Sequence, residues 1–175
     1  MSDPNDEWRR LLDEATRRAD AAGQGDVSDY LRLRRSNDEA RLAGMRELLR
    51  MFVAGLERET NGGANLKVER DRAHRFPVRA ATMVGERVTF RRGVRALTIE
   101  AGFPRTPEDG FIPGGGLARA RVSHFGDERA GVSLVLARDA ESVGWFRLDP
   151  DGERRLGAFA ESEARAHVLR FLAGA

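Results

Sequence analysis

The sequence predicts an α+β fold in which N-terminal helices precede an antiparallel sheet and a final helix closes the chain. Apolar residues recur every three or four positions through residues 1–63, apolar and polar residues alternate through 64–160, and helical spacing returns in 161–175. Helical and strand patterns are therefore segregated, which favours antiparallel pairing over a parallel α/β sheet. A length of 175 residues is typical of one domain, so we expect a single domain over 1–175.

Two helices are predicted in the first part. In "NDEWRRLLDEATRRADAAG" the apolar residues have helical spacing, and Gly23 is a natural end. A second helix is predicted over 37–60, because Ser36 and Glu39 fit a capping box and "NGG" follows at 61–63. "DVSDYLRLRR" would be a short helix between them. The apolar stripe of the second helix comprises Leu42, Met45, Leu48, Leu49, Phe52, Val53 and Leu56.

The middle of the chain predicts a curved antiparallel meander of about five or six strands, with helices covering one face. "RVTF" and "RALTIEA" form a hairpin around Gly93, "LARARVSHF" and "GVSLVLAR" are joined by "GDERA", and "GWFRLDP" is stopped by Pro150. The segment "NLKVERDRAHRFPVRAATMV" is ambiguous: it begins like an edge strand, and Pro77 is expected to break whatever precedes it.

The last helix is predicted in "SEARAHVLRFLAG", with Ser162 as its N-cap and Gly174 past its end. Large aromatic residues usually supply buried area, so Trp8 and Trp145 are expected in the core.

Composition excludes several classes of protein. The chain has no cysteine, so it has no disulfides, thiol nucleophiles or cysteine metal sites. No apolar stretch is long enough for a membrane span, and the polar start "MSDPNDEWRR" is unlike a secretory signal. These features favour a cytoplasmic, bacterial-type protein with no membrane partner.

Positive charge is concentrated in the middle of the chain. Residues 64–125 contain 12 basic and 6 acidic residues, whereas acidic residues are in slight excess on both sides. Such asymmetry can mark an anionic partner. All basic residues except Lys67 are arginines, however, and a GC-rich genome would produce the same bias through its codons.

Strand alternation predicts that four of these arginines share the solvated face of the sheet: Arg87, Arg91, Arg119 and Arg121. With Phe125 they would form a cationic surface able to bind a nucleic-acid backbone, another polyanion or a small ligand. The alternative, which we favour on the sequence alone, is that these side chains only keep the protein soluble.

Catalytic signatures are weak. His74, His124 and His167 have no metal-site spacing, and His124 is in phase with the core side of its strand. Ser123 and His124 are neighbours in a strand and therefore face opposite sides. Acidic pairs such as Glu108–Asp109 fit turn chemistry. We predict no metal and no cofactor.

The glycine run in "RTPEDGFIPGGGLARA" predicts a connector between strands, because neither the lysine nor the helix of a phosphate-binding loop follows it. Phe111 and Ile112 within it would either fold back onto the core or present an apolar knob to a partner.

Two functions remain open at this point. The first is a non-enzymatic interaction or binding module, whose helix 37–60 pairs with a protein partner or a second copy of the chain. The same apolar stripe could instead pack on the chain's own sheet, and we favour that use of it. The second is a polyanion, nucleic-acid or small-ligand binder, conceivably an enzyme, that uses the cationic face and the 103–117 loop as a lid.

Overall fold

The computed structural model describes residues 4–61, 65–140 and 142–173 and confirms the α+β prediction. Helices come first, an open antiparallel sheet follows, and a helix ends the described chain. The elements are α1 (Pro4–Ala21), α2 (Gly25–Thr60), β1 (Lys67–Val78), β2 (Ala81–Arg92), β3 (Arg95–Phe103), β4 (Ala118–His124), β5 (Asp127–Arg138), β6 (Val143–Leu148), β7 (Arg155–Ala158) and α3 (Glu161–Ala173).

The sheet is a meander in which every strand pairs with its neighbours in sequence, in the order β1 to β7. It has seven strands within the described residues, where the sequence predicted five or six. β1 confirms the edge-strand alternative for the ambiguous segment, but it continues through Pro77, although proline was expected to end it. β1 is an edge strand, and an edge tolerates a residue that cannot donate to the ladder. The additional strand is β7, which is only four residues long.

The chain divides into two compact units, residues 1–42 and 43–175. The first unit consists of α1 and the start of α2, which are held together by polar contacts. Arg32 Nη2 pairs with Asp20 Oδ2 at 2.8 Å, and Trp8 Nε1 donates to Asp38 Oδ2 at 3.3 Å. Trp8 is 40% exposed, so its assignment to the core is wrong. The single domain expected over 1–175 stays a prediction.

α2 is one continuous helix from Gly25 to Thr60, so the start predicted at Ser36 is wrong. Ser36 and Glu39 lie inside the helix and do not cap it. No glycine or proline interrupts the sequence between Gly25 and Gly44, and nothing there forces the backbone out of the helical conformation. The end near residue 60 is confirmed.

In the second unit, residues 43–60 of α2 and α3 cover one face of the sheet, which we call the covered face. Phe52 stacks on Phe159 with ring centroids 6.2 Å apart, and Trp145 Nε1 donates to the carbonyl of Gly44 at 2.8 Å. Trp145 is therefore buried, as predicted. The core residues of α2 and α3 are Met45, Leu48, Leu49, Met51, Phe52, Leu56, Ala164, Val168 and Phe171.

α3 begins at Glu161, one residue before the predicted N-cap Ser162. The carboxylate of Glu163 instead accepts the backbone N–H of Ala160 at 3.0 Å, which satisfies a free donor at the helix start. Gly174, expected past the end of the helix, lies outside the described residues.

Taken over the residues that the structure describes, none of the helices combines the length and the apolar character needed to cross a membrane.

Candidate functional site

Within the second unit, neither residues 43–60 of α2 nor α3 lies on the other face of the sheet, which we call the open face. Directly paired residues of neighbouring strands point to the same side. Arg87 pairs with Glu100 and Glu100 with Arg121, while Gly102 pairs with Arg119. Arg91 lies four residues beyond Arg87 on β2. All four arginines therefore lie on the open face, as the alternation predicted.

Three of these arginines are exposed, and each has a carboxylate beside it on the same face. The nitrogen–oxygen distances are 4.0 Å for Arg87 and Asp71, 3.2 Å for Arg91 and Glu69, and 3.6 Å for Arg121 and Glu100. Exposed pairs of this kind contribute little to stability, but they offset the positive potential of the face. The open face is mixed in charge, which its arginines alone did not suggest.

His74 belongs to the same polar network. Its Nε2 lies 3.0 Å from Glu100 Oε1, its Nδ1 lies 3.6 Å from Asp71 Oδ2, and its ring stacks on Phe76. Both ring nitrogens face carboxylates, so the ring is oriented by acidic groups rather than presented to a hydroxyl nucleophile. Glu100 Oε2 is buried without a hydrogen bond, although Arg121 lies near it.

Arg119 differs from the other three arginines. It is only 6% exposed, so its expected place on a solvated surface is wrong. Its Nη1 donates to the carbonyl of Gly152 at 3.2 Å, and its buried Nε has no hydrogen-bond partner. The turn between β6 and β7, which contains Gly152, thus lies over a residue that local sequence placed in solvent. No carboxylate among the described residues pairs with Arg119.

A second guanidinium lies close to Arg119. Burial lowers the pKa of Arg119 from its usual value, and the positive charge of Arg79 lowers it further. Arg79 has a positive φ of 56° and is held at the same turn, where Nη2 donates to the carbonyl of Asp151 at 2.5 Å and to Glu153 Oε1 at 2.9 Å. Two cations therefore share this end of the open face, and only the outer one has a carboxylate partner.

The connector 104–117 is anchored on the same end of the sheet. Asp109 Oδ2 accepts the backbone N–H groups of Thr106 at 3.0 Å and Arg105 at 3.1 Å, and Arg75 Nη2 donates to Asp109 Oδ1 at 2.5 Å. The hydrogen bond from the Thr106 backbone is the main cause that keeps the pKa of Asp109 below its usual value. The expectation that this acid serves turn chemistry is confirmed.

The two apolar residues of the connector have different environments. Phe111 is 78% exposed, whereas Ile112 is half-buried against a small apolar cluster of Phe76, Ala81 and Met83. Both alternatives left open by the sequence therefore occur, one at each residue: Ile112 folds back onto the apolar cluster, and Phe111 points to solvent. Gly114 and Gly115 have φ of 74° and 73°, so the glycine run provides turn conformations, as predicted.

Phe125 lies outside β4, in the turn to β5, and is 75% exposed. Arg119 is near the other end of β4, so the structure does not bring these two candidate residues together.

The apolar stripe of α2 packs largely within the chain's own second unit, which is the alternative that we favoured from the sequence, although Val53 is 40% exposed. Leu48 and Phe52 are fully buried within the unit 43–175, and Leu49 is nearly so.

The covered face contains a contact that the sequence did not indicate. His124 Nε2 and His167 Nδ1 are 2.9 Å apart, with their rings nearly parallel. Burial is the main cause that lowers the pKa of both imidazoles, to about 4 for His167, and the cation of Arg170 adds to it. His124 points into the core, as predicted. Among the described residues, no three histidine or acidic side chains are grouped to hold a metal ion.

No protein-family model, curated protein or solved structure matches this chain.

Proposed function

We propose that the protein is a non-enzymatic binding module that holds a small anionic ligand at Arg119, on the open face and beneath the 104–117 connector. The observation that carries this proposal is the buried guanidinium of Arg119, which has one backbone carbonyl as its hydrogen-bond partner and no carboxylate. Buried charges in folded proteins are nearly always paired, because removing an ion from water costs several kcal/mol. An anion supplied from solution would complete the pair.

The chemistry of the guanidinium supports an oxyanion as the ligand. Nη1 of Arg119 is already engaged by the carbonyl of Gly152, which leaves the edge formed by Nε and Nη2. That edge presents two parallel N–H donors whose spacing fits a carboxylate or a phosphate. The neighbouring charge of Arg79 favours the same sign of ligand.

A small anion fits the open face better than a nucleic acid does. Arg87, Arg91 and Arg121 each have a carboxylate neighbour on that face. A long polyanion would have to compete with all three carboxylates and would be repelled by them. A single anionic group at Arg119 has no such competitor.

The proposal is non-enzymatic because the open face does not place a nucleophile beside a base in the described residues. His74 contacts carboxylates, and Ser123 lies on the face opposite to His124.

The test is calorimetric titration with sodium acetate and with inorganic phosphate at low ionic strength. We expect saturable binding of at least one of these anions by the wild-type protein, and at least a tenfold loss in Arg119→Met. Arg91→Met is the matched control, because Arg91 lies on the same face but is exposed and paired with Glu69. Equal affinity in Arg119→Met and wild type would show that the anion binds elsewhere.

A second variant covers the case in which Arg119→Met does not fold. Arg119→Lys keeps the charge and loses the two-pronged donor edge, so binding should weaken while remaining measurable.

A further inference from the structure

The surroundings of Arg119 identify the kind of anion, given the function proposed above. Across β4, Arg119 pairs with Gly102 on one side and with Val135 on the other, and Val135 in turn pairs with Phe146. The cross-strand neighbours of this guanidinium on the open face are therefore a residue without a side chain and two apolar residues. The nearest polar side chain of this row is that of His74, which lies two strands beyond Gly102 and is engaged with Glu100, so a hydrated inorganic ion would find no polar side chain directly beside Arg119 in the row.

The apolar surface continues under the connector. Phe76 and Met83 form a cross-strand pair next to the row of Arg119, and Ile112 packs on their cluster. At Gly116 a Cβ atom would lie 2.6 Å from Ile112 Cγ2 and 2.8 Å from Val135 Cγ2. Ile112 is therefore close to Val135, which flanks Arg119. It covers an apolar surface formed by Phe76 and Met83, and this surface extends to the guanidinium of Arg119, which has no carboxylate partner among the described residues.

We propose that the ligand is an organic acid with an aliphatic or aromatic body. Its carboxylate lies side-on against Nε and Nη2 of Arg119, and its apolar body takes the place of Ile112 against Val135 and the Phe76–Met83 cluster. This assignment rests on the function proposed above and adds the chemical class of the ligand.

The structure of the connector is compatible with replacement of Ile112 by the apolar body of the ligand. It is fixed to the sheet at one end by Arg75 of β1, whose Nη2 donates to Asp109, and at the other by the Leu117 N–H, which donates to the carbonyl of Leu136 at 2.7 Å. Between these anchors Ile112 packs on the cluster, and Gly110, Gly114 and Gly115 have positive φ. Movement of Ile112 away from the sheet uncovers the apolar surface, and the exposed Phe111 beside it is then available to cover the ligand.

The experiment is a titration series of acetate, butanoate, hexanoate and benzoate at constant ionic strength, with inorganic phosphate for comparison. Burial of each added methylene should raise affinity about threefold to fourfold in the aliphatic series. Ile112→Ala should bind hexanoate several-fold more tightly and acetate unchanged, because acetate needs only Arg119. Val94→Ala is the control, because Val94 is an apolar residue that is 87% exposed at another turn.

The outcomes separate this inference from the proposed function. Equal affinity for acetate, hexanoate and phosphate, with all three lost in Arg119→Met, would overturn the organic-acid assignment and keep the anion site. Hexanoate binding that is unchanged in Arg119→Met would also overturn it, because the apolar body would then bind without the guanidinium. Failure of every anion to bind would refute the proposed function itself.

Discussion

Arg119→Met should make the ligand-free protein more stable, which is unusual for a change at a buried residue. Wild-type Arg119 is 6% exposed and has one hydrogen bond, to Gly152. Burying an unpaired ion costs several kcal/mol, and a hydrogen bond from a charged donor returns about 1.5–3 kcal/mol. Methionine is also unbranched and flexible, so it fills much of the same space without the charge. We therefore expect the free energy of unfolding to rise by about 1–3 kcal/mol.

The assay is urea unfolding followed by the fluorescence of buried Trp145, in buffer free of carboxylates and phosphate. Arg91→Met is the control and should change the unfolding free energy by less than about 0.5 kcal/mol, because Arg91 is exposed. Hexanoate should then stabilise the wild type and leave Arg119→Met unaffected, since only the wild type binds it. A loss of several kcal/mol in Arg119→Met would refute the reasoning, because Arg119 would then be a structural residue whose interactions already compensate its burial.

Three further predictions concern the rest of the second unit. The pKa of His167 is about 4 in the folded protein, against an ordinary 6.5, so the unfolded chain binds a proton at this imidazole more readily than the folded protein does. The free energy of unfolding should therefore be at its full value above about pH 6.5 and should fall as the pH approaches 4. After allowance for partial exposure the loss should be about 1–2 kcal/mol, and it should shrink in His167→Asn to the part that His124 contributes; a loss of the same size in His167→Asn and wild type would contradict the prediction. Gly85→Ala should cost about 3 kcal/mol or more, measured by urea unfolding, because the new Cβ would lie 2.0 Å from the backbone oxygen of Ala101. Asp109→Asn should leave the fold intact but loosen the connector, seen as faster proteolysis within 104–117; unchanged cleavage would mean that Asp109 does not anchor it.

The sequence was sufficient for the fold class and for the facing of the strands, because alternation along a strand is a local property. His124 and Ile99 point into the core, and the four arginines share the other face, as the alternation required. Local signals failed where a contact in the folded chain decides the outcome. Ser36 resembles a helix cap, yet nothing on its N-terminal side ends the preceding helix, so the helix continues through it.

Site residues were harder to predict for the same reason. Arg119 looks exposed in its strand, and the turn that covers it lies 33 positions later in the sequence. His124 and His167 are 43 positions apart and on different elements, so no spacing rule could pair them. The signal in the sequence was the position of each histidine among the apolar residues of its strand or helix. Such a position indicates that the ring is buried but does not identify its partner.

The edges of the meander determine how the sheet behaves toward other copies of itself. An open sheet ends in two strands whose free backbone groups can recruit another chain, which is the first step of aggregation. Here β1 has five charged residues among the six of Lys67–Arg72, a register shift between Asp71 and His74, and Pro77 near its end. The opposite edge, β7, offers only four residues. Growth of the sheet by addition of further strands is therefore disfavoured at both ends, which leaves the open face available to a ligand without inviting polymerisation.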